Sequence, residues 1–219
     1  SSLPDSFLRI QKKFPSFEFA SEGTPREQRQ IEQLTSSWDQ IGDIRRNYKV
    51  EIETNMFRFV FPEHPLNMVS RWSVGSDKDS IIKRAAFNGM GLVIWQDVFG
   101  VWLPFSNKQK QQIKKLKNVF NKYHNIVFGS NSVPLIKTLS KGLICNQFCN
   151  DNNQKILAIY NFTNKSIKGP LVALEPIAKI KYQQIFGIKS NLQIKKIKKI
   201  NTIFGTVPAD EVILIYVKY

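Results

Sequence analysis

The sequence predicts an α/β portion over residues 1–128 followed by an antiparallel β-sandwich over residues 129–219. Up to Phe128-Gly129, short apolar runs alternate with stretches of helical period, an order that argues for an α/β layer or a barrel segment. Beyond that point the helical period fades, and short apolar runs succeed one another between Asn-rich turns, as in a sandwich. With 219 residues, 42% of them apolar, the chain has material for a real core.

Phe17-Glu-Phe-Ala20 reads as a short alternating strand. Thr24-Pro25-Arg26-Glu27 then supplies a helix start, with Thr24 as cap, Pro25 in the first turn and Glu27 closing a capping box. Ile31, Leu34, Trp38 and Ile41 fall on one face of that helix, and Gly42 stops it. Met56–Phe61 reads as a strand closed off by Pro62 and Pro65, after which residues 67–75 read as a loop or short helix. Ser76 and Asp79 open a second helix that turns Ile81, Ile82, Ala85 and Ala86 inward, and Asn88-Gly89 ends it. Leu92-Val-Ile-Trp95 is apolar throughout, as a strand covered on both faces of a parallel sheet is. Ser106 and Gln109 form a further capping box, for a helix with Ile113, Leu116, Phe120 and Tyr123 on one face and lysines over much of the rest.

In the second portion, strands are expected near 142–148, 155–162, 171–174, 182–186, 192–200 and 212–217. The stretch Ile194-Lys-Lys-Ile197-Lys-Lys-Ile200 repeats Ile every third residue, which fits neither an ideal strand nor an ideal helix. Cys145 and Cys149 stand four apart; in a strand that is about 13 Å, beyond disulfide reach, so both read as buried thiols. Asn161-Phe-Thr163 and Asn164-Lys-Ser166 match the glycosylation acceptor pattern, one that chance produces often in an Asn-rich chain.

The net charge of +15 is regional. Residues 1–97 hold 13 Lys and Arg against 13 Asp and Glu, whereas residues 98–219 hold 19 Lys, no Arg and 4 acidic residues. Nucleic-acid grooves usually mix Arg forks with stacking aromatics, so nucleic acid is not the expected partner; a solvated Lys-rich surface is, with an anionic polymer as the alternative. No apolar run approaches the roughly 18–20 residues of a membrane span. Neither a phosphate loop, a dinucleotide fingerprint, a zinc spacing nor a nucleophile elbow occurs, and no cofactor is expected.

Two segments resemble a known family. Ala86-Phe-Asn-Gly89-Met-Gly91, continuing through Trp95-Gln-Asp97-Val-Phe-Gly100-Val-Trp102, is similar to the stretch FFNG-G-ESWEN-WG-WN of glycosidase-like barrel proteins distantly related to α-galactosidase-type enzymes. His64-Pro-Leu-Asn-Met-Val-Ser-Arg71-Trp72 resembles the segment preceding it, and Val207–Tyr216 resembles the last strand of the sandwich that often follows such barrels. The resemblance implies a partial (β/α)8-type barrel, made of its last β/α units, acting on a carbohydrate substrate. A full barrel needs ~250 residues, so the N-terminal barrel portion would lie upstream and the fragment alone would be inactive. One departure stands out. Where the family carries Glu-Asn after the Trp, this chain has Gln96-Asp97.

Glycosidic cleavage uses two carboxyl groups. Glu22, just past the carboxyl end of a strand, is the first candidate, with a helix-start carboxylate as its plain alternative. Asp97, similarly placed after 92–95, is the second. Trp72 and Trp102 offer flat faces to sugar rings, and Arg71 and His64 offer hydrogen bonds to hydroxyls; an ordinary loop histidine is the plain alternative for His64.

Overall fold

The computed structural model describes residues 3–16, 19–22, 34–39, 52–70, 78–94, 105–176 and 180–219. In chain order the first portion holds α1 (Leu3–Lys13), β1 (Ala20–Glu22), β2 (Ser36–Asp39), α2 (Met56–Val60), β3 (Leu66–Ser70), α3 (Lys78–Asn88), β4 (Gly91–Ile94), α4 (Asn107–Lys122) and α5 (His124–Val127). Then come β5 (Leu143–Cys149), β6 (Gln154–Asn161), β7 (Ile167–Ala173), β8 (Lys181–Phe186), β9 (Gln193–Ile197), β10 (Ile200–Val207) and β11 (Glu211–Lys218).

Three sheets result. β1-β2-β3-β4 form a parallel sheet in sequential order. The order β5-β6-β11-β8 makes an antiparallel sheet, and β7-β10-β9 makes a second. Helices α3, α4 and α5 lie between the parallel sheet and the four-stranded antiparallel one. One core there unites Leu66 and Met68 of β3, Ala85 and Phe87 of α3, Leu116 of α4, and Ile156, Ala158 and Val212 of the antiparallel sheet. A second core lies between the two antiparallel sheets, with Leu157, Ile159, Ile213 and Ile215 facing Leu171, Val172 and Ile203.

This layering explains why β6 and β11 are apolar at nearly every position. Alternate residues point to opposite faces of a strand, and here both faces are covered. Ile156, Ala158 and Tyr160 enter the helix-side core while Leu157 and Ile159 enter the sandwich core.

The helices that were legible are held as their sequences imply. Ser106 Oγ accepts from Gln109 N and Gln109 Oε1 accepts from Ser106 N, the expected capping box. Gln109 Nε2 also donates to Asp79 Oδ1 at 3.1 Å, tying α4 to the first turn of α3. Gly89 ends α3 with φ +62, a conformation glycine adopts without strain.

Several expectations are corrected. Trp38 is not on a helix; it lies in β2, paired on both sides by strands distant in sequence, and the helical spacing of Ile31, Leu34, Trp38 and Ile41 does not survive that pairing. Residues 23–33 and 40–51, including the Thr24 start and Gly42, fall outside the described residues. The expected strand Met56–Phe61 is instead a short helix, Met56–Val60, with Phe61 as its C-cap; Phe57 and Phe61, four apart, bring their ring centroids to 5.0 Å, and Phe59 stacks on Phe148 at 5.7 Å. Where residues 67–75 read as a loop or short helix, Leu66–Ser70 is the strand β3, and 71–75 lie outside the described residues. The Ile194–Ile200 repeat is a hairpin: Lys198 and Lys199 turn the chain with φ 47 and φ 71, pairing Ile197 with Ile200. Ile200 then begins β10, a strand the periodicity hid. Asn161 is fully buried and its Nδ2 donates to Lys165 O, Val207 O and Pro208 O, so it is a turn brace and not a glycan acceptor. Cys145 and Cys149 are free and buried on one strand; desolvation pushes both thiols up, making them inert at neutral pH.

Candidate active site

Parallel strands gather their carboxyl ends at one edge of a sheet, which is where α/β folds place ligands. Glu22 is the last residue of β1. The register sets it on a row with Trp38, Asn67 and Gly91. Asp39 ends β2 one row further, and Ser70 and Ile94 end β3 and β4 three rows further. Arg71 and Trp72 follow β3 directly in the chain, and Asp97 and Trp102 come soon after β4; all four lie outside the described residues.

The row through Trp38 and Asn67 has its own geometry. Leu66 and Met68, on either side of Asn67, are buried in the helix-side core, so Asn67 falls on the opposite face of β3. There its Oδ1 occupies the space a side chain at Gly91 would need: a Cβ on Gly91 would stand 2.1 Å from it. Trp38 and Asn67 are both half-buried. The sequence reading missed the two of them. Trp38 was absorbed into a false helical period, and Asn67 had no strand around it to give it a face. The one available signal was Gly91 opening an apolar strand, since glycine there marks the close approach of another group.

His64 stands apart from this edge. It precedes β3, at the amino end of the strands, where its Nε2 shares a 2.7 Å hydrogen bond with Ser37 Oγ. Only 7% of its surface is exposed, and its ring meets Phe57 edge-on at 5.6 Å. Burial lowers its pKa, which favours the neutral ring. This position braces β2 and β3 just before β3 begins, through Ser37, which lies one row below the Trp38–Glu22 pair.

Two asparagines and one arginine hold the scaffold beneath the site. Asn88, within the segment that carries the family resemblance, donates through Nδ2 to Glu53 O and accepts from Asn55 N, fixing the chain that enters α2. Asn146 of β5 donates to Phe87 O and accepts from Thr54 Oγ1 and Leu135 N. Arg58 is fully buried and donates to Gly89 O, Pro62 O and Val127 O, with its guanidinium 5.1 Å from the Phe128 ring centroid. Burial lowers its pKa to about 10, so it stays charged at neutral pH. Among the described residues, no three His, Cys, Asp or Glu side chains gather as a metal site would require.

Comparison with solved structures places the fold. The chain is similar to glycoside hydrolases. A GH27 β-L-arabinopyranosidase from Geobacillus stearothermophilus, solved in complex with arabinose, matches over 100% of this chain and 55% of its own, with a TM-score of 0.59 at 10% identity. The debranching enzyme of Nostoc punctiforme matches over 96% of this chain and 54% of its own, with a TM-score of 0.61 at 12% identity. A GH36 α-galactosidase from Geobacillus stearothermophilus, solved with raffinose, matches over 97% and 30%, with a TM-score of 0.51 at 13% identity. At such identities the likeness is one of fold alone, and the chain spans about half or less of these proteins' length. No protein-family model and no curated protein sequence matches it. No helix among the described residues is long and apolar enough to cross a membrane.

Proposed function

We propose that this chain is the C-terminal part of a glycoside-hydrolase-like protein, with residues 1–128 as the last β/α units of a (β/α)8-type barrel and 129–219 as a trailing β-sandwich. The observation that carries the reading is the sequential parallel order β1-β2-β3-β4 with Glu22 at a strand's carboxyl end. The parallel pairing of each strand with the next in sequence is what a run of barrel strands requires. β4 ends the sheet among the described residues, beside a groove of about 300 Å³ lined by Leu92, Ile94, Ile113 and Phe120. A preceding strand and helix of the barrel would cover both.

In this reading Glu22 protonates the leaving-group oxygen and Asp97 serves as nucleophile or base, a division of labour that needs the two held at different pKa values. Trp72 and Trp102 pack on sugar rings, Arg71 bonds hydroxyls, and Trp38 and Asn67 line the floor. His64 has no part in it, given its place at the amino end of the strands. The upstream portion completes the cleft, so the substrate and linkage belong to the whole protein.

The test is hydrolysis of a panel of aryl glycosides by the protein extended upstream. Glu22→Gln and Asp97→Asn are each expected to lower kcat by at least ~10³-fold, with KM little changed. If Glu22→Gln stays within twofold of the wild type, Glu22 is not the acid. The change of Glu-Asn to Gln96-Asp97 favours a second reading, a carbohydrate-binding protein that keeps the fold without the reaction. Under that reading sugar binds by calorimetry while no aryl glycoside is turned over.

A further inference from the structure

We propose a separate binding site, for an anionic polysaccharide, on the outer face of the β7-β10-β9 sheet. This face is the outermost surface of the layer stack, on the opposite side from β1–β4, and the proposal does not depend on Glu22 or Asp97. A trough of about 520 Å³ runs across it, lined by Lys168, Gln193, Lys195, Phe204 and Thr206 among others. The register builds it. Ile203 and Val207 of β10 are buried in the sandwich core, so Phe204 and Thr206 face outward between them. Thr206 pairs with Lys168 of β7, and Phe204 lies between Pro170 of β7 and Gln193 of β9. Lys195 reaches over this floor, its Nζ 5.1 Å from the Phe204 ring centroid.

The charge on this face has no ion-pair partner among the described residues. No carboxylate lines the trough, and neither Lys168 nor Lys195 has an ion-pair partner among the described residues. From Pro176 to Val207 the chain carries seven Lys and no Asp or Glu. Ammonium groups concentrated on one face repel one another, so an anionic ligand that bridges them gains affinity. Lys168 and Lys195 sit at opposite corners of the trough, their backbone positions ~16 Å apart by strand rise and spacing. Several linked sugar rings span that length. Their C–H faces would pack on Phe204 and Pro170, their hydroxyls would meet Gln193 and Thr206, and carboxylate or sulfate groups would meet the two ammoniums.

A nucleic acid suits the trough less well. Single strands are held by several accessible rings and by Arg forks, whereas here the one ring already has an ammonium over it and no Arg occurs after residue 98.

The experiment is affinity electrophoresis of the 219-residue chain in gels containing polygalacturonate, dextran or oligo-dT, at fixed ionic strength. Polygalacturonate is expected to retard the protein and dextran is not. Lys168→Gln with Lys195→Gln should weaken retardation at least tenfold, and Phe204→Leu several-fold. The equally charged pair Lys114→Gln with Lys115→Gln on α4 should change it less than twofold. The proposal is overturned if the wild type is not retarded by polygalacturonate, if the two Lys pairs lose binding equally, or if oligo-dT binds more tightly than polygalacturonate.

Discussion

The parallel and antiparallel sheets of this molecule are stabilised in different ways. Strands β1–β4 are three to five residues long, and each pairs with a partner lying well outside its own hairpin distance. On the helix-facing side Ser37, Leu66 and Met68 are buried but Leu92 is half-buried and Ile94 exposed, and the row of Trp38 and Asn67 on the other face is only half-buried. Strands β5–β11 are five to eight residues long, two of their pairings are hairpins, and the central strands β6 and β11 are covered on both faces. The lesson is that local pairing and two-sided burial let the antiparallel part define itself, while the parallel part leans on the shared helix layer. Loop closure costs more for distant pairings, so short parallel strands need that support.

The largest expected effect lies where the two parts meet. Arg58→Ala leaves the carbonyls of Gly89 and Val127 without their donor and opens a cavity beside Phe128, at a cost of about 3 kcal/mol. Urea unfolding would show it as a lower midpoint; a loss under about 1 kcal/mol would mean that the carbonyls find other donors. Within the parallel sheet, Gly91→Ala must displace the Asn67 side chain and should cost about 1–2 kcal/mol. In an Asn67→Ala background most of that cost should vanish, and a cycle showing no coupling would contradict the described row.

Acid and base should act on the two parts with opposite sign. His64 has a folded pKa below its ordinary 6.5, so its contribution is present above pH 6.5 and is lost as pH falls through the folded value. His64→Asn should therefore lose less stability than the wild type on going from pH 7 to pH 5. Glu211 of β11 is raised above 4.5, chiefly by burial and against the opposing pull of Lys83, so its contribution is present below pH 4.5 and is lost as pH rises through the folded value. Glu211→Gln should gain on the wild type between pH 4 and pH 7. Unfolding midpoints at the two ends of each window give both signs. The smallest effect is expected at the β9-β10 turn. Lys198→Asn with Lys199→Gly relieves two left-handed lysines and should stabilise by roughly 1 kcal/mol in thermal unfolding.

Legibility followed the same division. The capping box at Ser106, the stop at Gly89 and the apolar runs of β5, β6 and β11 were readable because neighbours in sequence decide them. Trp38 and Met56–Phe61 were misread because a period counted on one segment says nothing of the partner that will cover it. Glu22, expected just past a strand over 17–20, is instead the last residue of β1, Ala20–Glu22, and Asn67 needed β3 to exist before it could be assigned a face.

The sequence by itself determined the α4 capping box, the apolar strands of the second half, the inert cysteine pair and the Lys-rich second half. These follow from local hydrogen bonds, side-chain period and composition. Only the tertiary structure decided that Ser36–Asp39 is a strand, that His64 closes the amino end of the sheet, and that Lys168 and Lys195 flank one trough. Each of those depends on which distant segments pair, and pairing is set by the burial of whole faces that no single stretch of sequence contains.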